Sequence, residues 1–178
     1  GLELIENLVH RGVQTTLVEL NDQVLPPLDK EMTAPILEVL KAKGVDVRLA
    51  NSAESFETCA KGIQVRLKSG EVLTTQMVIL GVGVRPENQL AVDAGLNVGP
   101  RGGIQVNAQM QTSDPDIFAV GDAVEIRDFV TGDPAQVPLA GPANRQGRIA
   151  ADNIFCRTTK YRGTQGTAIL GLFDKTAA

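Results

Sequence analysis

Helix-like and strand-like segments alternate through the first 50 residues, and this order constrains the fold more than any other feature of the chain. From Leu2 onward, apolar residues recur at three- and four-residue spacing, which predicts an amphipathic helix over 2–11. Gly12 then marks a helix end, and the apolar run within 14–20 predicts a strand covered on both faces. This order is typical of α/β proteins, in which helices cover a parallel sheet.

The second helix has two candidate starts, and the sequence leaves both open. With Asp29 as the N-cap, Pro35 would lie inside the helix and remove one backbone hydrogen bond. With Thr33 as the N-cap, Pro35 would fall in the first turn, where a missing N–H costs nothing. In either case Gly44 ends the helix, and a strand is predicted over 45–50.

A different pattern follows, in which the segments are short and half-polar. Residues 52–58, 62–68 and 71–75 predict an antiparallel β-meander, inserted in the α/β pattern. The apolar run 77–82 (MVILGV) then predicts a buried strand of the parallel sheet. Later in the chain, further strands are predicted over 104–106, 117–120 and 167–173, with one helix over about 143–156.

The strongest chemical signal is the Gly121–Asp122 corner, which follows the predicted strand 117–120. Such a strand would aim the Asp122 carboxylate off the carboxyl end of the sheet, where α/β folds bind ligands. Gly121 has no Cβ to block a phosphate or sugar chain, and a carboxylate accepts hydrogen bonds from polyol hydroxyls. The alternative is that Asp122 only caps a turn.

A weaker signal opens the chain, where Gly1 precedes a helix and then a strand that ends at Glu19. In dinucleotide-binding folds the last glycine of the fingerprint allows close helix–strand packing. An acid about 20 residues further on binds the ribose hydroxyls. A helix followed by a strand that ends in glutamate is also common in other folds, so a purely structural role stays open.

Composition narrows the classes of function. The formal net charge is −4, which argues against a nucleic-acid-binding surface. No apolar run approaches the roughly 18 residues of a membrane span. The two cysteines, Cys59 and Cys156, lie far apart without the spacing of a zinc site, so both are interpreted as ordinary thiols.

Four segments together resemble the FAD-dependent pyridine nucleotide–disulfide oxidoreductases, in the branch of coenzyme A–disulfide reductases, NADH oxidases, NADH peroxidases and persulfide reductases. These segments are 112–125 (TSDPDIFAVGDAVE), 81–96 (GVGVRPENQLAVDAGL), 138–154 (PLAGPANRQGRIAADNI) and 163–174 (GTQGTAILGLFD). The resemblance implies an α/β, FAD/NAD(P)-binding Rossmann-like three-layer fold with a β-meander insertion. It also implies that this fold is incomplete, because the first strand of the NAD domain is missing.

The resemblance implies FAD and NAD(H) as cofactors, and no catalytic or metal-binding residue within the chain. Asp122 would bind the flavin ribitol and Glu19 the adenosine ribose. The absence of Arg and Lys from 20–23 favours NAD over NADP, because a 2′-phosphate would need a cation. The implied cofactor-binding residues are Gly1, Glu3, Glu19, Gly83, Gly121, Asp122, and the backbone donors Leu139 and Ala140 at a helix start.

The implied domains are a NAD-binding domain that lacks its first strand (1–104), the C-terminal part of an FAD-binding domain (105–160), and the start of a dimerisation domain (161–178). The chain would be a fragment truncated at both ends, since the family's redox cysteine would lie before Gly1. The parent enzyme would be a cytoplasmic homo-oligomer that contacts neither nucleic acid nor membrane. It would pass electrons from NADH through FAD to a small-molecule disulfide, persulfide or peroxide.

We expect the chain alone to be inactive. The alternative interpretation is a non-catalytic nucleotide-binding or structural remnant without a bound cofactor. A parallel sheet without its central first strand would leave backbone groups unpaired, at about 1–3 kcal/mol for each buried group. We therefore expect that another segment or a neighbouring chain fills this slot, or that the chain is an excerpt of a longer one.

Overall fold

The computed structural model describes residues 1–178 and divides into two compact units. Unit 1 comprises 1–82 and 168–178, and unit 2 comprises 83–167. In chain order the elements are α1 (Leu2–His10), β1 (Thr16–Val18), α2 (Lys30–Ala42), β2 (Asp46–Arg48), β3 (Ala53–Cys59), β4 (Gly62–Leu67), β5 (Val72–Thr75), α3 (Gln89–Asp93), β6 (Ile104–Gln105), β7 (Val124–Arg127), β8 (Pro134–Ala135), α4 (Ala140–Ile154), β9 (Leu170–Leu172) and β10 (Lys175–Ala177). No helix in the structure is both long enough and apolar enough to cross a membrane.

The core of unit 1 forms where α1 and α2 lay their apolar faces over a short parallel sheet. Strands β1 and β2 pair in parallel with Leu17 opposite Val47, as expected for an α/β sheet. The antiparallel hairpin of β9 and β10 also packs into this unit, because the Leu172 side chain lies in the same core as α1 and α2. The buried core residues are Ile5, Val24, Ile36, Leu40, Val45 and Leu172.

Helix α2 takes the earlier of its two candidate starts. Asp29 occupies the N-cap position with extended backbone angles, and the helix begins at Lys30. Pro35 is therefore inside the helix, where no N–H is available to donate to the carbonyl of Glu31. Thr33 is buried in the first turn and donates its hydroxyl hydrogen to the Lys30 carbonyl instead of capping the helix.

Replacing Pro35 with alanine is expected to stabilise unit 1 by about 2 kcal/mol. The substitution restores a helical N–H and removes the ring's clash, and the greater freedom of the unfolded chain offsets part of this gain. Hydrogen exchange of the Leu40 amide would measure the change. Pro142→Ala is the matched control, since Pro142 lies in the first turn of α4 and should change stability little. An unchanged stability of the Pro35→Ala variant would contradict this prediction and would indicate a helix start near Thr33.

The β-meander is confirmed in order and direction. Strands β3, β4 and β5 form an antiparallel three-stranded sheet, with Phe56 opposite Val65 and Val65 opposite Leu73. The buried side of β4 carries Val65 and Leu67. This burial explains why apolar and polar residues alternate along β4.

The expected strand over 77–82 is wrong. These residues make no ladder, and the side chains of Met77, Leu80 and Val82 are 67%, 66% and 88% exposed. A strand requires a hydrogen-bonding neighbour, and the sheet of β1 and β2 has only two members, so this segment has no partner in the chain. Of the three alternatives for the missing first strand, the one in which another segment of this chain takes its place beside β1 is excluded, because β1 pairs only with β2.

Unit 2 is built around β7, a strand that the sequence pattern does not predict. Strand β7 pairs in parallel with β6 and antiparallel with β8, and α4 packs against this sheet. The expected strand over 117–120 is reduced to a single bridge between Gln111 and Phe118. The longer strand begins after the Gly121–Asp122 corner, because the buried residues lie there. The buried core residues are Met110, Val124, Ile126, Ala150 and Tyr161.

Candidate cofactor-binding sites

The Gly121–Asp122 corner lies in a single 3₁₀ turn over Gly121–Ala123 that leads into β7. Gly121 has a φ of +87°, a conformation that other residues adopt only with strain, so the turn depends on this glycine. The Asp122 side chain is exposed and takes part in no hydrogen bond or ion pair. The carboxylate follows a turn instead of the expected strand end, and it is free to accept hydrogen bonds from a ligand.

Gln146 on α4 holds this corner in place, although it is not among the site residues that the sequence predicts. The Gln146 side chain is 2% exposed, and its Oε1 accepts a hydrogen bond of 2.7 Å from the Gly121 N–H. A signal was present in the sequence: Gln146, Ile149, Ala150 and Asn153 follow the spacing of one helix face. Amides that share a helix face with apolar residues predict hydrogen bonds within the protein.

Helix α4 begins at Ala140, three residues before the expected start, and its first turn offers free backbone donors. Leu139 is the N-cap residue, and its own N–H donates to the Val137 carbonyl at 2.8 Å. The first intrahelical bond runs from Ala143 to Leu139, so the N–H groups of Ala140 and Gly141 have no acceptor. The helix dipole adds partial positive charge here, so the arrangement favours an electron-rich oxygen.

In unit 1, Glu19 follows β1 and is held by its backbone to the end of β2. Its N–H donates to the Arg48 carbonyl, and its carbonyl accepts from Asn51. The Glu19 Oε1 accepts from the backbone and side-chain N–H groups of Asn21, at 2.9 and 2.8 Å. Its second carboxylate oxygen has no partner and is available for a ribose hydroxyl.

Lys30 places a positive charge beside the loop that follows Glu19. The absence of Arg and Lys from 20–23 does not reveal this charge, because Lys30 lies further along the chain. Its ammonium donates a hydrogen bond to the carboxylate of Asp22. This bond, together with the charge of Lys30, holds the pKa of Asp22 below its usual value. The charge of Lys30 is therefore paired with Asp22, and the Glu19 carboxylate forms no ion pair.

Three other implied residues occupy exposed backbone positions. Gly1 is the N-cap of α1, and a Cβ added there would meet nothing within 4 Å, so no close packing depends on it. Glu3 is exposed in the first turn of the same helix. Gly83 has a φ of +90° in an exposed loop of unit 2.

Both cysteine thiols are free: Cys59 is half-buried at the end of β3, and Cys156 is exposed.

The donor and acceptor sets fit the two implied cofactors. The unpaired carboxylate of Asp122 suits the hydroxyls of a flavin side chain, and the free N–H groups of α4 suit a ring carbonyl. In unit 1 the free oxygen of Glu19 suits the ribose of a nicotinamide dinucleotide.

A protein-family model described as "Pyridine nucleotide-disulphide oxidoreductase" matches residues 1–147 of the chain. Two curated relatives align with almost the entire chain. The NADH oxidase of Methanocaldococcus jannaschii is 37% identical over 98% of the chain, and the coenzyme A disulfide reductase of Staphylococcus aureus is 33% identical over 100%. The chain spans 39% and 40%, respectively, of the length of these relatives.

Solved structures confirm the Rossmann-like α/β architecture, and the three that follow each align with 98% of the chain. The reduced CoADR-RHD of Bacillus anthracis has 48% identity and a TM-score of 0.92 over 31% of its own length. An FAD-dependent pyridine nucleotide-disulphide oxidoreductase from Desulfovibrio vulgaris has 38% identity and a TM-score of 0.91 over 45%. A NAD-dependent persulfide reductase from A. fulgidus has 34% identity and a TM-score of 0.93 over 32%.

Proposed function

Because the chain belongs to the pyridine nucleotide-disulphide oxidoreductase family, we propose that it supplies cofactor-binding parts of a flavoprotein that transfers electrons from NADH. The electrons would pass through FAD to a disulfide, persulfide or peroxide. Relatives named coenzyme A disulfide reductase and persulfide reductase support a sulfur acceptor, and NADH oxidase supports NADH as the donor. The observation that carries the proposal is the exposed, unpaired carboxylate of Asp122 on a turn fixed by a buried hydrogen bond.

On the flavin side, Asp122 would bind the hydroxyls of the ribityl chain, and Gly121 would leave room for that chain. Ala140 and Gly141 would donate their free N–H groups to a carbonyl of the ring. Leu139 contributes the N-cap position, while its N–H is already bonded within the chain. Bound FAD supplies the hydride-accepting chemistry, and the residues of this chain bind and orient it.

On the nicotinamide side, Glu19 would bind the adenosine ribose and disfavour a 2′-phosphate by like charge. Each of Gly1, Glu3 and Gly83 remains a proposed NAD-binding residue, with Gly83 contributing its backbone only. The assignment of 1–104, 105–160 and 161–178 to NAD-binding, FAD-binding and dimerisation domains remains a proposal, as do the homo-oligomer and the cytoplasmic location. The compact units divide the chain elsewhere, at 82/83 and 167/168.

Titration of the purified chain with FAD, followed by quenching of flavin fluorescence, tests the proposal directly. Saturable binding of FAD is expected. In separate titrations, NADH should bind about tenfold more tightly than NADPH, because Glu19 repels the additional phosphate of NADPH. A colourless chain that quenches no flavin fluorescence would contradict the flavin assignment.

A second candidate function is a structural module without a cofactor, which acts by associating with another polypeptide. The exposed apolar side chains of Met77, Leu80 and Val82 favour it, because contiguous exposed apolar surface marks interaction sites. This candidate predicts no flavin binding together with self-association in light scattering.

A further inference from the structure

The inner face of α4 carries two amides, one in each half of the helix: Gln146 is buried and Asn153 is half-buried. Gln146 accepts a hydrogen bond from the Gly121 N–H, in the turn before β7. Asn153 donates to the loop that follows the helix. The Asn153 Nδ2 donates to the Ile149 carbonyl at 2.8 Å and to the Thr159 carbonyl at 3.0 Å. The apolar side chains between the two amides pack against β7, so the whole helix face is fixed.

The Gln146 bond connects two features that the flavin assignment uses. It ends at the N–H of Gly121, the residue before Asp122. It starts on α4, whose first residue, Ala140, lies six positions earlier, or about 9 Å along the helix axis. One rigid helix therefore carries the free backbone donors and also fixes the turn that presents the carboxylate.

The bond matters because Gly121 alone does not hold this turn. Glycine populates many backbone conformations at similar free energy, so an unrestrained Gly121 would let Asp122 sample several orientations. A hydrogen bond to a nearly inaccessible acceptor removes that freedom before any ligand arrives. Such preorganisation raises affinity by lowering the entropy lost on binding.

We propose that Gln146 is a positioning residue for flavin binding, which sets the Asp122 carboxylate in register with the first turn of α4. The inference rests on the proposed flavin site and assigns the geometry of that site to a side chain that does not contact the ligand. It assigns Asn153 no such role, since its partners lie at the other end of the helix.

The test compares Gln146→Met, Gln146→Glu and Asn153→Leu with the wild-type chain. Gln146→Met keeps the side-chain volume and removes the acceptor, and Gln146→Glu keeps an acceptor oxygen. Asn153→Leu is the control that removes the other, half-buried amide of the same helix face. Two quantities are measured: hydrogen exchange at the Gly121 amide, which needs no ligand, and the Kd for FAD.

Gln146→Met is expected to accelerate exchange at Gly121 and to raise the Kd for FAD about tenfold. Gln146→Glu should keep Gly121 protected, and Asn153→Leu should change the Kd by about twofold or less while lowering the melting temperature. Equal losses of FAD affinity in Gln146→Met and Asn153→Leu would overturn the inference, because both would then act only through stability. Failure of the wild-type chain to bind FAD would overturn the proposed function itself and is recognised before any substitution.

Discussion

Replacing Asp122 with alanine is expected to raise the Kd for FAD about a hundredfold. The carboxylate would accept two hydrogen bonds from ribityl hydroxyls, and bonds to a charged group contribute about 1.5–3 kcal/mol each. The exposed side chain has no partner within the protein, so its removal leaves the folded state intact. Fluorescence titration with FAD measures the effect.

Asp116→Ala is the matched control for this prediction. Asp116 is an exposed aspartate six residues earlier in the same unit, and its removal changes the net charge equally. Comparison of riboflavin with lumiflavin, which lacks the ribityl chain, adds a second check. The wild type should prefer riboflavin, and Asp122→Ala should bind the two alike. An unchanged preference for riboflavin would show that the carboxylate binds no hydroxyl.

Replacing Gly62 with alanine is expected to destabilise the β-meander of unit 1 by about 4 kcal/mol. Gly62 starts β4 with a φ of +129°, which residues with a side chain adopt only at a cost of about 1–3 kcal/mol. An added Cβ would also lie 2.3 Å from the carbonyl oxygen of Thr75, a backbone atom of the neighbouring strand that cannot move without breaking the ladder. Strain and clash act together at this position.

Gly70→Ala separates the two contributions. Gly70 has a φ of +89° in the turn between β4 and β5, and a Cβ there would meet nothing within 4 Å. This variant should lose only about 1 kcal/mol, from strain alone. Native-state hydrogen exchange at Val65 and Leu67 would report both changes. Equal losses in the two variants would mean that the approach of Thr75 to Gly62 adds nothing.

The sequence predicts the elements whose apolar residues recur at the spacing of a helix or a strand. Examples are helix α1, strands β1 and β2 and the β-meander, in which this spacing is visible within a few consecutive residues. The run 77–82 has equally strong apolar character, but a strand also needs a neighbour, and that information is not local. The same limit applies to 117–120, which keeps only one bridge.

In the candidate site, too, local features could be predicted from the sequence and contacts between distant residues could not. Gly121 and Asp122 could be identified because a glycine and an exposed acid at a turn have direct chemical meaning. Gln146 could not be connected with them, since the hydrogen bond joins residues 25 positions apart. The start of α4 was placed too late because Pro142 suggests a break, although proline is tolerated in a first turn.

Pro142 also limits which oxygen atoms the start of α4 can recognise. A helix start usually presents three or four unbonded N–H groups, enough to surround a phosphate. Here proline contributes none and the N–H of Leu139 is already bonded, so only two donors remain, on adjacent residues. Two neighbouring donors match the two lone pairs of a single carbonyl oxygen, whereas a phosphate would find fewer protein donors here than at an ordinary helix start. We therefore expect this helix start to bind a ring carbonyl in preference to a phosphate.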